Sequence, residues 1–179
     1  MATTQILIAG FGGQGVLFTG KCIAYKGLDE GKQLSWLPSY GPEMRGGTAN
    51  CSVIISDTPV GSPIVSTPDV LTAMNLPSLD KYEDATVKGG KIFVDSTLID
   101  RKVKRTDVDA YYIPATKLAN DAGFPNLANM IMMGKMIKEA KMVSMDGMKE
   151  ALSHVISAKR AEMLEINLKA IEIGYNYEG

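Results

Sequence analysis

The sequence is poor in the groups that carry most stand-alone chemistry. Its 179 residues include one histidine, His154, and two cysteines, Cys22 and Cys51. A lone histidine argues against hydrolytic triads of the Ser/His/Asp kind. The cysteines stand 29 positions apart, which excludes CxxC metal or redox spacing, and no other set of metal ligands is apparent. An excess of charge of one sign is also missing. Nineteen basic residues face twenty acidic ones for a net charge of −1, so neither a basic patch of the nucleic-acid kind nor an acidic tail is expected. Apolar runs are only a handful of residues long and no leader-like charged segment precedes one, which predicts no membrane span and no export signal. On that reading the sequon Asn50-Cys51-Ser52 is fortuitous. What remains is a cytoplasmic globular chain, 45% hydrophobic, with residues 1–179 as one domain able to bury roughly 70% of its unfolded surface.

No internal repeat or linker divides the chain. Gln5–Ala9 is a short apolar run suited to a buried parallel strand. A helical pattern covers Val16 to about Glu30, with Gly20 and Gly27 on its apolar face where close approach to a sheet would compensate their low propensity. Further strands are expected near Gln33–Leu37, Thr48–Ser56, Val70–Met74, Lys91–Val94 and Ala110–Ile113, with Val60–Val65 as a hairpin partner of Thr48–Ser56. The last third reads as helices near Ala115–Ala122, Asn126–Ala140, Asp146–Ile156 and Ala158–Ile173. The pattern predicts an α/β fold: a three-layer, Rossmann-like domain with a mostly parallel, mixed sheet and a helical C-terminal third.

Gly10, Gly12 and Gly15 form G-x-G-x-x-G after a strand and before a helix, the context that gives the motif meaning. Glycines there allow tight turning and close approach, and the exposed amides at the helix start suit a phosphate. Gly10, Gly12, Gly13, Gln14 and Gly15 are therefore the candidate ligand-binding residues. A tight strand-to-helix turn without a ligand would use the same residues. In dinucleotide-binding folds an acidic residue about 20 positions on reads a ribose hydroxyl. Here that stretch is Ser35-Trp36-Leu37-Pro38-Ser39, with no carboxylate, which argues against ordinary NAD binding. Pro38 to Gly47, with two prolines and three glycines, reads as a shaped loop. Its Tyr40, Glu43, Arg45 and Gly46 could meet a polar ligand or a partner, or simply form an internal ion pair.

GFGGQGV followed by PSYGPEMRGGTANCSVIIS resembles the gamma subunit of the 2-oxoacid:ferredoxin (acceptor) oxidoreductases, and the later helix carrying Asn129-Met130-Ile131-Met132-Met133-Gly134 fits the same pattern. The resemblance spans essentially the whole chain. It implies one subunit of an enzyme that oxidatively decarboxylates a 2-oxoacid, of the 2-oxoglutarate or pyruvate kind, to an acyl-coenzyme A. Partner alpha and beta subunits, with a ferredoxin-like delta subunit in some members, are implied to carry thiamine diphosphate and iron–sulfur clusters and to pass electrons to ferredoxin. The glycine loop would face coenzyme A. Tyr40, Glu43, Arg45 and Gly46 would lie at the active-site mouth or a subunit contact. Two distant cysteines cannot hold a cluster and no thiamine diphosphate motif is present, so no catalytic residue is assigned and the chain is not expected to act alone. Two other readings stay open: a stand-alone NAD(P)-dependent dehydrogenase and a non-catalytic assembly scaffold.

Smaller features carry their own expectations. Cys22 and Cys51 read as buried structural thiols, and His154 as a surface or packing residue. The run Lys102-Val103-Lys104-Arg105 reads as a solvated turn. Seven of the eleven methionines fall between Met130 and Met148. Their two helical stripes are broader than one helix needs for packing on a sheet, which raises docking to another subunit, centred on Met132 and Met136, beside plain core filling.

Overall fold

The computed structural model describes residues 2–39 and 48–179. Its centre is a six-stranded sheet in the order β2-β3-β1-β4-β5-β6. The strands are β1 (Thr3–Phe11), β2 (Gln33–Ser39), β3 (Thr48–Ser56), β4 (Val70–Ala73), β5 (Lys91–Asp95) and β6 (Asp109–Ile113). β1, β4, β5 and β6 pair in parallel, while β3 runs antiparallel to both β1 and β2. Only β3 therefore opposes the common direction, and the expected mostly parallel, mixed α/β sheet is what the chain forms.

Helices α1 (Val16–Asp29), α3 (Ala115–Asp121), α4 (Ala128–Ala140), α5 (Met148–Ser153) and α6 (Ala161–Asn176) follow the expected pattern within a few residues. A further short helix, α2 (Leu76–Tyr82), was not foreseen. Its signals were local: the Asn75 side chain accepts from Ser78 N at 2.9 Å as an N-cap, with Pro77 just inside.

Ile6 and Ile8 of β1 pack toward the face covered by α1, α4 and α6, and Leu7 toward the face that carries α2. Both faces are thus covered, which is why β1 is a continuous apolar run rather than an alternating one. α1 lies close on β3: a Cβ on Gly20 would stand 2.2 Å from Cys51 Sγ. Cys22 and Cys51 are both free and buried, and burial pushes both thiols up to about 12. Neither should react with a disulfide reagent in the folded chain near roughly pH 8, whereas both should react once it is denatured. The raised folded value also sets a sign. The unfolded thiols ionise first, so stability present below about pH 9 should fall as pH rises toward about 12, a trend that urea midpoints would report.

Three expectations need correction. Val60–Val65 is not a strand: Pro59 and Pro63 lack the N–H that a ladder needs, Gly61 between them weakens strand pairing through its backbone freedom, and the segment runs irregularly with Ile64 exposed and Val65 buried. The hairpin partner of β3 is β2. That strand continues through Pro38 and Ser39, which tolerate strand geometry because β2 is the sheet edge. Third, the methionine stripes of α4 are not a docking surface. Met132 is 1% exposed and Met136 0%, as buried as Met130 and Met133. α4 is enclosed because α6 crosses directly over it at Gly134 and Gly174. The broad apolar surface serves the sheet on one side and α6 on the other.

The basic run is structural as well. Arg101 bridges Asp80 and Glu83 at 2.7 and 2.8 Å, and Arg105 pairs with Asp107 while donating to the Glu83 carbonyl. His154 stacks on Tyr25 and stands 3.2 Å from Asp29, half-exposed.

Candidate functional site

The chain leaves β1 at Phe11 and enters α1 at Val16 through Gly12-Gly13-Gln14-Gly15. Gly13 and Gly15 have φ values of 95° and 75°, left-handed backbone that side-chain-bearing residues rarely adopt. Gln14 holds the turn in place. Its Oε1 accepts from Phe11 N at 2.7 Å and its Nε2 donates to the Met74 carbonyl at 3.0 Å, tying the loop to the end of β4. Gly10 makes room for that clamp, since a Cβ there would stand 2.5 Å from Gln14 Oε1 and 2.8 Å from Met74 Cβ.

Beneath the loop, Asn129 in the first turn of α4 donates from Nδ2 to Gly15 O at 3.1 Å and to Thr19 Oγ1 at 3.0 Å. The starts of α1 and α4 therefore converge. Gly15 caps α1 without a side-chain bond, Leu127 does the same for α4, and neither first turn holds an acidic residue. Among the described residues no side-chain cap or first-turn acid compensates these two positive helix ends, a setting that favours an anion. Beside them a groove of about 280 Å³ opens between Phe11, Gly12, Gly13, Val16, Phe18 and Ala49. A Cβ placed on Gly13 meets nothing within 4 Å among the described residues, so the loop's outer side is open to them.

A larger hollow of about 920 Å³ lies at the opposite end of β1, near Thr4, Glu30, Lys32 and Lys141. Lys32 there pairs with Asp57, and Glu30 with Lys26 and Ser144 N. Its size does not make it the better candidate, because Glu30 and Lys32 are already paired and the hollow lies away from the glycine turn.

Of the residues singled out from sequence, Gly10, Gly12, Gly13, Gln14 and Gly15 come together, but Gly10 and the Gln14 side chain serve the loop's own geometry. Tyr40, Glu43, Arg45 and Gly46 lie outside the described residues. Their flanks are placed: Ser39 pairs with Asn50 and Thr48 with Phe11, at the glycine-loop end of the sheet. Asn129 and Thr19 were missed as site residues. The available signal was a lone asparagine in the first turn of an otherwise methionine-rich helix, where an unpaired polar group would be costly.

The strand order also bears on NAD. In a dinucleotide-binding fold the ribose-reading carboxylate ends the strand next to β1. Here β3 separates β2 from β1, which sets the end of β2 about 10 Å from that of β1. Ordinary ribose recognition thus lacks both the residue and the position.

Residues 5–177 match the family model described as pyruvate ferredoxin/flavodoxin oxidoreductase. The chain belongs to this family. Among its relatives, the ketoisovalerate oxidoreductase subunit VorA of Methanothermobacter thermautotrophicus is 41% identical over 95% of this chain. The chain spans about a third of that relative's length (35%). The 2-oxoglutarate synthase subunit KorC of Methanocaldococcus jannaschii is 34% identical, with 96% of this chain and 91% of the relative aligned. Among solved structures, the gamma subunit of a keto/oxoacid ferredoxin oxidoreductase from Geobacter sulfurreducens superposes with a TM-score of 0.81 at 30% identity, covering 96% of each chain. The 2-oxoglutarate:ferredoxin oxidoreductase of Magnetococcus marinus, with 2-oxoglutarate, coenzyme A and succinyl-CoA bound, superposes with a TM-score of 0.84 at 25% identity. It covers 97% of this chain and 30% of that one. No helix among the described residues is long and apolar enough to cross a membrane.

Proposed function

We propose that this chain is the gamma-type component of a cytoplasmic 2-oxoacid:ferredoxin oxidoreductase, working as one domain, and that its glycine loop holds a phosphate of coenzyme A. The observation that carries the reading is the loop itself: uncapped amides at the start of α1, no acidic residue in that turn, and a side at Gly13 left open among the described residues. These features fit an anionic group. Gly12, Gly13, Gly15 and the first amides of α1 would hold it, while Gln14 keeps the loop in shape. Bound coenzyme A supplies the thiol that accepts the acyl group.

The loop orients its ligand with backbone donors, which carry no protonation state and keep their strength across neutral pH. Thiamine diphosphate, iron–sulfur clusters and ferredoxin belong, on this reading, to alpha, beta and delta-type partners. Ser39 and Thr48, which flank residues 40–47 in the sequence, stand at the glycine-loop end of the sheet; on this reading Tyr40, Glu43, Arg45 and Gly46 would face the active-site mouth or a partner. Relatives named for ketoisovalerate and for 2-oxoglutarate support a 2-oxoacid as the substrate class.

Reconstitution tests this. Adding the chain to its thiamine-bearing and ferredoxin-like partners should raise coenzyme A-dependent acceptor reduction at least about tenfold, equivalent to 1.4 kcal/mol or more. Full activity in its absence would overturn the assignment.

A further inference from the structure

We infer that Asn129 is a positioning residue that fixes and polarises the Gly15–Val16 peptide, so that the Val16 amide at the mouth of the glycine loop holds the ligand's anionic group. This rests on the phosphate-holding role proposed for that loop.

The Gly15 carbonyl receives three donors: Thr19 N at 3.0 Å, Thr19 Oγ1 at 3.0 Å and Asn129 Nδ2 at 3.1 Å. A carbonyl oxygen has two lone pairs, and the helix needs only the first of these bonds. Asn129 Nδ2 also donates to Thr19 Oγ1 at 3.0 Å, closing a triangle of bonds beneath the loop. Donors gathered on a carbonyl draw electron density out of the peptide and strengthen the N–H at its other end. That N–H belongs to Val16, the first residue of α1, where it has no intrahelical partner and faces beyond the helix start; Val16 also lines the groove.

Stability alone does not call for an asparagine here. Thr19 already satisfies Gly15 O, and Asn129 is 5% exposed with its Oδ1 buried and unpartnered among the described residues. An unmade bond of that kind is unfavourable. Flipping the amide would set Oδ1 against the Gly15 carbonyl, so the orientation is determined by its surroundings. A Cβ on Gly15 would stand 2.5 Å from Asn129 Nδ2, so the two residues are matched. Asn129 in turn is carried by α4, which is locked beneath α6. The loop is thereby referenced to the helical layer as well as to the sheet.

The test uses the reconstituted complex with Asn129→Leu, which keeps the volume, and Asn129→Asp, which keeps the shape but cannot donate when ionised. Coenzyme A and 2-oxoacid KM, saturating rate and the chain's thermal midpoint are measured together. Asn129→Leu should leave the midpoint within about 3 °C of the parent or raise it. It should also raise the coenzyme A KM about tenfold, with oxoacid KM and saturating rate within about twofold. Asn129→Asp should raise the coenzyme A KM at least as much. An unchanged coenzyme A KM in both variants, or a lowered midpoint with both KM values shifted together, would overturn the inference. Gly13→Asp separates this from the parent reading, because it sets a carboxylate on the side of the loop that is open among the described residues. If Gly13→Asp leaves the coenzyme A KM unchanged, the phosphate-holding role itself fails. If only Gly13→Asp raises it, the role stands and the positioning inference alone fails.

Discussion

Replacing Gly134 or Gly174 with valine will force α4 and α6 apart and remove much of the chain's stability. A Cβ on Gly134 would stand 1.9 Å from the Ile171 carbonyl oxygen, and one on Gly174 would stand 1.7 Å from the Ile131 carbonyl oxygen. Both obstacles are backbone, so no rotamer change relieves them. Overpacking a core costs about 1–3 kcal/mol, and more where helices must move. A loss of at least about 3 kcal/mol is expected, which for a chain of this size lowers Tm by roughly 6–12 °C. Thermal unfolding of the purified chain measures it. Gly61→Ala is the control: among the described residues nothing lies within 4 Å of its Cβ position, and its midpoint should stay within about 2 °C. An equal loss in both would mean that the helix crossing is not the cause.

Gly15→Val should have the second largest effect, on function more than on folding. Its φ of 75° suits glycine, and a β-branched residue held there costs about 1–3 kcal/mol. The new Cβ would also displace Asn129, whose side chain can yield where a backbone cannot. The loop should therefore survive in a shifted form, with the coenzyme A KM of the complex raised at least about tenfold. A second substitution, Asn129→Ala, should recover part of the lost stability by making room, and none of the lost affinity. Recovery of both would show that the loop's amides are not what the ligand meets. Because the residues touch, the single effects should not add.

Much of the candidate site was legible because its signal is local. A buried strand, three glycines at set spacing and an apolar helix place a tight glycine turn at a helix start without reference to the rest of the chain. Gly10 and Gln14 were legible as positions, though not in their use: the bond from Gln14 to Met74 joins residues 60 apart. Asn129 was harder still, since it reaches Gly15 from 114 residues away and its own helix reads as apolar. Val60–Val65 misled because the turn at Asp57-Thr58-Pro59 suggested a returning strand, although Pro63 denies that segment a full ladder. The methionines misled because periodicity measures how wide an apolar face is, not what covers it.

The scarcity of histidine and cysteine, the glycine turn at the end of β1 and the missing carboxylate after β2 all followed from sequence, being statements about residue type and short spacing. Those features limit what chemistry the chain can offer. Tertiary structure decided what they serve. It inserted β3 between β1 and β2, closed α6 over α4 at two glycines and brought Asn129 beneath Gly15. Each of these outcomes depends on which surfaces meet across the fold, and contact between distant segments is decided by packing of the whole chain rather than by any segment's own preference.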